Sequence, residues 1–279
     1  MIKVVKIGGN VVHNRELLQK FVMDFAAMPG MKILVHGGGV MASQMQKAMG
    51  MTPQMIEGRR VTDEDTLKVV TMVYAGWCNK NIVSKLQAAG CNAIGLTGAD
   101  GNVIKAHKRK PLYVESIGTD VDYGYVGDVD GTCVNAGFIH NLLVHGMVPV
   151  LCAINHDGEG ILLNTNADTI ASSVAVAMAG CSPLNPKEGT QEDKVELVYC
   201  FEKDGVLYDR NDDSSIIQEI DPALFEELKK SGIIAEGMIP KLSNAFKAIE
   251  SGVAEVKIKH AGNLLNNIGT TLLKLRKLK

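Results

Sequence analysis

Two apolar runs near the N-terminus break off at glycines, residues 2–7 at Gly8-Gly9 and residues 31–36 at Gly37-Gly38-Gly39. Aliphatic and β-branched side chains suit each run to a buried strand. Each glycine turn then opens a stretch of helical periodicity: Leu17, Leu18, Phe21 and Phe25 after the first, with Asn14 placed as a cap, and VMASQMQKAM after the second. Strand, turn and helix repeated in tandem imply parallel strands joined by right-handed crossovers, with both glycine turns at the carboxyl edge of one sheet. That edge is where open α/β sheets take ligands. Bare N–H groups at a helix start attract anions, and Lys6 adds a full charge beside them. A single glycine turn could serve chain reversal alone. Three glycines in a row exceed what a turn needs and suit a ligand that approaches the backbone closely.

Composition limits what such turns could serve. The 279 residues, 46% hydrophobic and 22% charged, can bury a sizeable core in one large α/β domain or two closely joined lobes. A formal net charge of -2, with no long run of one sign, supplies no electrostatic footprint for nucleic acid or an anionic membrane, so anion binding must be local. No apolar run approaches the roughly eighteen residues of a membrane span, and the chain begins directly on a strand, so it is expected in the cytoplasm. Cys78, Cys91, Cys133, Cys152, Cys181 and Cys200 are scattered without a close pair and are expected as small buried hydrophobes, not as a zinc site or a disulfide framework. The histidines form no HExxH pair; a metal, if one takes part, is expected to arrive with a phosphate.

Further along, residues 51–60 contain Pro53 and Gly58 and read as a hairpin or flap ending in Arg59-Arg60, after which Thr62 or Asp63 can cap a helix running to about residue 89. An arginine at that place could be a solvated surface residue or a bidentate clamp for a carboxylate. Residues 92–96 read as a strand with a turn at Gly98, Asp100 and Gly101. The basic stretch KAHKRK at 105–110 lacks interleaved aromatics and reads as a solvated hairpin with 123–129 as its return strand. A helix at 136–145 and a buried strand at 147–154 resume the pattern. LLNTNAD at 162–168 then opens a helix of small residues. One polar residue suffices as a cap, so Asn164, Asn166 and Asp168 at alternate positions suggest a site as well. Residues 181–193 read as a loop between lobes, 195–201 as a strand followed by a Lys203-Asp204-Gly205 turn, and Pro240-Lys241 as the first turn of a helix, with Lys241 repeating the chemistry of Lys6. Strands at 253–258 and 270–275 close the pattern.

The candidate site thus holds two lysines, two glycine turns, an arginine, an aspartate and two asparagines, with no histidine or cysteine set as a nucleophile. Phosphoryl transfer asks for alignment and charge stabilisation more than covalent help, so this inventory fits a kinase. The Walker sequence, the protein-kinase HRD and DFG pair and a GxGxxG fingerprint after the first strands are all missing.

Through KIGGN at 6–10, HGGG at 36–39, GRRVT at 58–62, LLNTNAD at 162–168 and EGMIPK at 236–241, the chain resembles the amino acid kinase family, on its acylglutamate branch. The resemblance implies a three-layer α-β-α sandwich with a mainly parallel central sheet in two lobes: 1–180 for acylglutamate binding and dimerisation, 181–279 for the nucleotide. It implies ATP-dependent phosphorylation of the side-chain carboxylate of an N-acylated glutamate, with Mg2+ carried by ATP, on the route to arginine, by a cytoplasmic homodimer with neither nucleic acid nor membrane as partner. By the family pattern, Lys6 and Lys241 stabilise the phosphoryl group from opposite sides and Asp168 holds them in register. Gly8 and Gly9 donate to the γ-phosphate, Gly38 and Gly39 shape the acylglutamate pocket, and Arg60, Asn164 and Asn166 hold the substrate.

The chain departs from that pattern where relatives carry a hydroxyl residue and then Asp in a nucleotide-contacting turn. Here Phe201-Glu202-Lys203-Asp204-Gly205-Val206 stands, with Glu202 at the Asp position and Gly205 and Val206 as further nucleotide contacts. Without the N-terminal helical extension of arginine-inhibited relatives, an arginine-insensitive dimer paired through the N-lobe is expected. The same reaction on N-succinylglutamate, for which Arg59 offers a spare cation, and a non-catalytic sensor on the same fold remain as alternatives.

Overall fold

In the computed structural model, residues 1–181, 194–209, 211–234 and 238–274 are described. Eight strands form one sheet: β1 (Ile2–Ile7), β2 (Met31–His36), β3 (Ala93–Leu96), β4 (Val148–Cys152), β5 (Val195–Phe201), β6 (Glu219–Ile220), β7 (Glu255–His260) and β8 (Thr270–Leu272). Their order is β6-β8-β7-β5-β1-β2-β4-β3. Every neighbouring pair is parallel except β7 with β8, so the sheet is mainly parallel, as expected. β1 and β2 lie side by side with Ile7 opposite His36, which brings both glycine turns to one edge.

Alternation along the strands assigns the helices to two faces. Lys6 points to the face covered by α7 (Ala167–Ala179), where it meets Asp168. His36 points to the opposite face and meets Asn79 at the start of α5 (Asn79–Ala88). Helices α6 (Ala136–Val144) and α9 (Ile239–Glu250), the latter preceded in the chain by α8 (Pro222–Lys230), pack beside α7, and α2 (Arg15–Ala27) packs beside α5, giving the three-layer α/β architecture. The strands of both expected lobes belong to this one sheet, which passes from β1 to β5 across the expected boundary at 180–181. Of the expected linker 181–193, residues 182–193 lie outside the described residues, as do Arg210, 235–237 and 275–279, and so does Leu275 of the expected last strand.

Local differences have identifiable causes. The segment after Gly9 is a five-residue helix, α1 (Gly9–His13), and Asn14 starts α2 by accepting from the Leu17 N–H at 3.0 Å. A helix that short has little dipole, so the attraction of this turn for anions rests chiefly on Lys6. Asp63 caps α4 (Glu64–Thr71), and the long helix does reach Ala88, but a π-helical turn at Met72–Cys78 interrupts it. The strand expected at 147–154 divides at Ala153. Ile154–His156 leaves the main sheet for a four-stranded one with Leu162–Thr165, Val126–Asp128 and His107–Lys108. The basic stretch therefore pairs with its expected return strand, and Arg109 forms an ion pair with Asp128.

His36 ends β2 in full burial, with Nδ1 2.8 Å from the Gly37 carbonyl and Nε2 3.0 Å from Asn79 Nδ2. The carbonyl can only accept, so Nδ1 carries the proton and Nε2 accepts from the amide. Burial moves the imidazole from 6.5 to about 4, outweighing the bond to Gly37. The unfolded chain takes up a proton below about pH 6.5 that the folded chain refuses, so stability is lost as pH falls from there towards 4. The expected loss across that window is roughly 3 kcal/mol, read from denaturant melts at several pH values; His36→Gln should remove this slope.

Candidate active site

The site is built where β1, β5, α7 and α9 meet. Lys6 is 5% exposed, and its Nζ lies 2.7 Å from Asp168 Oδ1. Asp168 is fixed because Asn166 caps α7, its side-chain oxygen accepting from the N–H groups of Asp168 at 2.8 Å and Thr169 at 3.1 Å. An acid in a first helical turn also faces the positive end of the dipole. Beneath it, the Tyr199 hydroxyl donates to the Asp168 carbonyl at 3.2 Å, and the Tyr199 ring stacks on Phe201 at 6.2 Å.

Phe201 is the surface on which the two lysines converge. Lys241, in the first turn of α9, holds Nζ 4.3 Å from the ring centroid, and Lys6 Nζ lies 5.5 Å from it. Desolvation by burial pulls the Lys241 ammonium below the ordinary lysine value; Asp168 opposes that, Lys6 adds to it and Glu202 opposes it. These four charged groups share one field, and Glu202 stands at its exposed rim.

The glycine turns interlock beside the lysines. A Cβ on Gly8 would lie 3.9 Å from Lys6 Nζ, so bare backbone and the ammonium border the same space. A Cβ on Gly9 would lie 3.3 Å from the Gly39 nitrogen, which brings the two turns into contact. Arg60, expected as either a surface residue or a clamp, is 8% exposed. Its guanidinium donates to Gln46 Oε1, to the Gly39 carbonyl at 3.0 Å and to Ser43 Oγ at 2.7 Å, tying it to the second glycine turn and to α3 (Gly39–Ala48). Asn164 donates to the Thr62 hydroxyl at 3.0 Å, which donates in turn to the Arg60 carbonyl at 3.2 Å. Asn164 and Arg60 are thus connected through a threonine.

On the C-terminal side, Val206 is buried and its N–H donates to Thr270 Oγ1 at 2.8 Å, while Gly205 leaves no room for a Cβ, which would meet the same oxygen at 2.6 Å. Asn263 donates to Asp204 at 2.6 Å. The 202–206 turn is therefore held by the segment that leads into β8. Burial raises the thiols of Cys78 to about 11 and of Cys152 and Cys200 to about 12, which leaves them protonated and unreactive at neutral pH. Among the described residues, no group of three or more His, Cys, Asp or Glu could hold a metal.

Sequence reasoning missed the ring of Phe201 as a platform, Gln46 and Ser43 as anchors of Arg60, and Tyr74 and Asn79 behind the glycine turn. Phe201 had one signal, an aromatic at a strand end next to Glu202. The others sit on helices whose spacing does not mark them.

The profile of the amino acid kinase family matches residues 1–182. The acetylglutamate kinase of Phocaeicola vulgatus is 50% identical over 273 residues, 98% of each chain. The chain belongs to the amino acid kinase family. Among solved structures, this amino acid kinase resembles the smu.665 protein of Streptococcus mutans, with TM-score 0.72, 28% identity and coverage of 97% and 98% of the two chains. It also shares its fold with an N-acetylglutamate synthase from Neisseria gonorrhoeae, complexed with coenzyme A and N-acetyl-glutamate, with TM-score 0.76 at 21% identity over 98% of this chain and 59% of that one.

Titration of a 13C-labelled Lys241 by NMR should give a midpoint below the ordinary lysine value. Asp168→Asn removes an interaction that favours the charged form, so the midpoint should move lower still; an unmoved midpoint would uncouple the two groups.

Proposed function

We propose that the chain is an N-acetylglutamate kinase, transferring the γ-phosphoryl group of ATP to the γ-carboxylate of N-acetyl-L-glutamate in arginine biosynthesis. The observation that carries this reading is the convergence of Lys6 and Lys241 on Phe201, with Asp168 paired to Lys6. The names of its relatives support the same reaction.

The chemistry follows from charge. A glutamate side chain with a pKa of about 4.3 is ionised at neutral pH, so a carboxylate oxygen attacks phosphorus without a general base, ADP leaves and an acyl phosphate forms. The barrier is repulsion between anions. In this reading, Lys6, Lys241 and the N–H groups of Gly8 and Gly9 lower it as charge shifts from the γ-phosphoryl to the leaving oxygen. Asp168 organises the two ammonium groups and accepts no proton from substrate. Gly38 and Gly39 shape the acylglutamate pocket, while Arg60 and Asn164 hold the α-carboxylate and the acylated nitrogen, with Asn166 also on the substrate side. Glu202, Gly205 and Val206 border the nucleotide, which brings Mg2+ with it. Residues 1–180 form the acylglutamate lobe and 181–279 the nucleotide lobe.

The reading includes a cytoplasmic homodimer paired through the N-lobe. Met72 and Trp77, 55% and 63% exposed on the long helix, supply apolar surface for that contact. Sedimentation should find a dimer that Trp77→Glu dissociates; a monomeric wild-type chain would remove this part of the reading.

A coupled ADP-release assay comparing N-acetyl- and N-succinyl-glutamate tests the reaction and the acyl group together. Preference for the acetyl compound is expected; preference for the succinyl compound would reassign the substrate, and binding without turnover would favour a sensor. Lys6→Ala and Lys241→Ala should each lower kcat by roughly a hundredfold or more, the scale of losing one transition-state donor. Near-normal turnover would remove that lysine from the mechanism.

A further inference from the structure

The π-helical turn at Met72–Cys78 interrupts the long helix directly behind the second glycine turn. Such turns cost hydrogen-bond geometry and gather at functional sites. In an uninterrupted α-helix at 3.6 residues per turn, Asn79 would stand about 140° around the axis from Tyr74. A π-turn, closing over five residues, brings positions i and i+5 back towards one face. The consequence is visible in the contacts.

Three side chains support the glycine turn, Tyr74 and Cys78 of this segment and Asn79 directly after it. Tyr74, 5% exposed, lies so close to Gly38 that a Cβ there would meet its Cδ1 at 2.6 Å, and Cys78 Sγ would meet the same Cβ at 3.2 Å. Asn79 Nδ2 spans 3.0 Å to His36 Nε2 and 3.0 Å to the Val150 carbonyl. The Tyr74 hydroxyl would stand 3.9 Å from a Cβ on Gly39, whose carbonyl accepts from Arg60. Burial raises the Tyr74 phenol while the Arg60 charge beside it opposes that rise. The π-turn and the first residue of α5 therefore brace the residue before the glycine turn and the turn itself, with the Tyr74 hydroxyl beside the arginine anchored to it.

We propose that this π-turn is a positioning device for the acylglutamate, in which Tyr74 holds Gly38, Gly39 and Arg60 as one unit and Asn79 fixes His36 at their base. The proposal rests on the reading that Gly38, Gly39 and Arg60 hold the acylglutamate. Neither Tyr74 nor Asn79 contacts substrate; both act through the backbone and the guanidinium. Acylglutamate affinity then depends on residues behind the pocket, and nucleotide affinity does not.

Calorimetric titration of N-acetylglutamate and, separately, of an ATP analogue into the full chain tests this. Tyr74→Phe keeps the ring and removes the hydroxyl beside Arg60, whereas Tyr74→Leu also removes the ring edge from Gly38. Acylglutamate affinity should fall about tenfold in Tyr74→Phe, the scale of one hydrogen bond to a charged group, and further in Tyr74→Leu, with ATP-analogue affinity changed by less than about twofold. The melting temperature of Tyr74→Phe should stay within about 2 °C of wild type. Unchanged acylglutamate affinity in both variants, or equal losses for both ligands that follow the melting temperature, would overturn the proposal. A wild-type chain that binds N-acetylglutamate without transferring phosphoryl would sink the kinase reading and leave this comparison to decide; one that binds no acylglutamate overturns both.

Discussion

Holding two ammonium groups against one aromatic ring is unfavourable unless something offsets their repulsion and desolvation, and the structure is arranged around that offset. The Phe201 face attracts both cations, and Asp168 supplies the opposite charge at 2.7 Å from Lys6. Each of these groups comes from a different element: β1, β5, α7 and α9. The cluster can form only if β1 and β5 are neighbours and both helices lie on the same face. The strand order, with β5 beside β1, meets that condition.

A second constraint is the absence of side chains. Gly9 and Gly39 bring two parallel turns within contact, and Gly38 accepts the edge of Tyr74, so backbone occupies places that a Cβ would close. On the proposed reading, the phosphoryl group would meet N–H donors on one side and ammonium groups on the other. The turn that holds Arg60 is not an independent loop: it is braced by α3 from one direction and by the π-turn from another. Rigid support of this kind holds donors in place before a ligand arrives, so less reorganisation is left for the reaction.

Much of this was legible from the residues. The strands at 2–7 and 31–36, the turns after them, Asp168 at a helix start and Lys241 in the first turn of α9 all carry local signals: glycine, caps and the switch from strand to helix periodicity. The split of the strand at Ala153 was not legible, because an apolar run does not record where it changes sheet. Nor was the π-turn, since Val73, Tyr74 and Cys78 satisfy α-helical spacing equally well, and only the contacts of Tyr74 and Cys78 with Gly38 and of Asn79 with His36 distinguish the two windings. Asn166 shows the opposite case. Its capping role is local and legible, and in the structure its side-chain oxygen accepts two helix N–H groups.

Asp168 also bears on how binding energy is divided. Two unopposed ammonium groups would attract ATP and the transition state alike, and uniform binding of that kind lowers KM without raising kcat. A carboxylate beside Lys6 reduces the net positive field felt by the ground-state phosphates while keeping Lys6 oriented. It also favours the protonated form of Lys241 against desolvation and against Lys6. In the proposed reaction, as negative charge moves onto the leaving oxygen, a correctly placed Lys241 ammonium would gain more there than it had in the ground state. In the proposed mechanism the aspartate would thus serve catalysis by limiting how tightly the lysines bind before the reaction and by keeping them aligned during it.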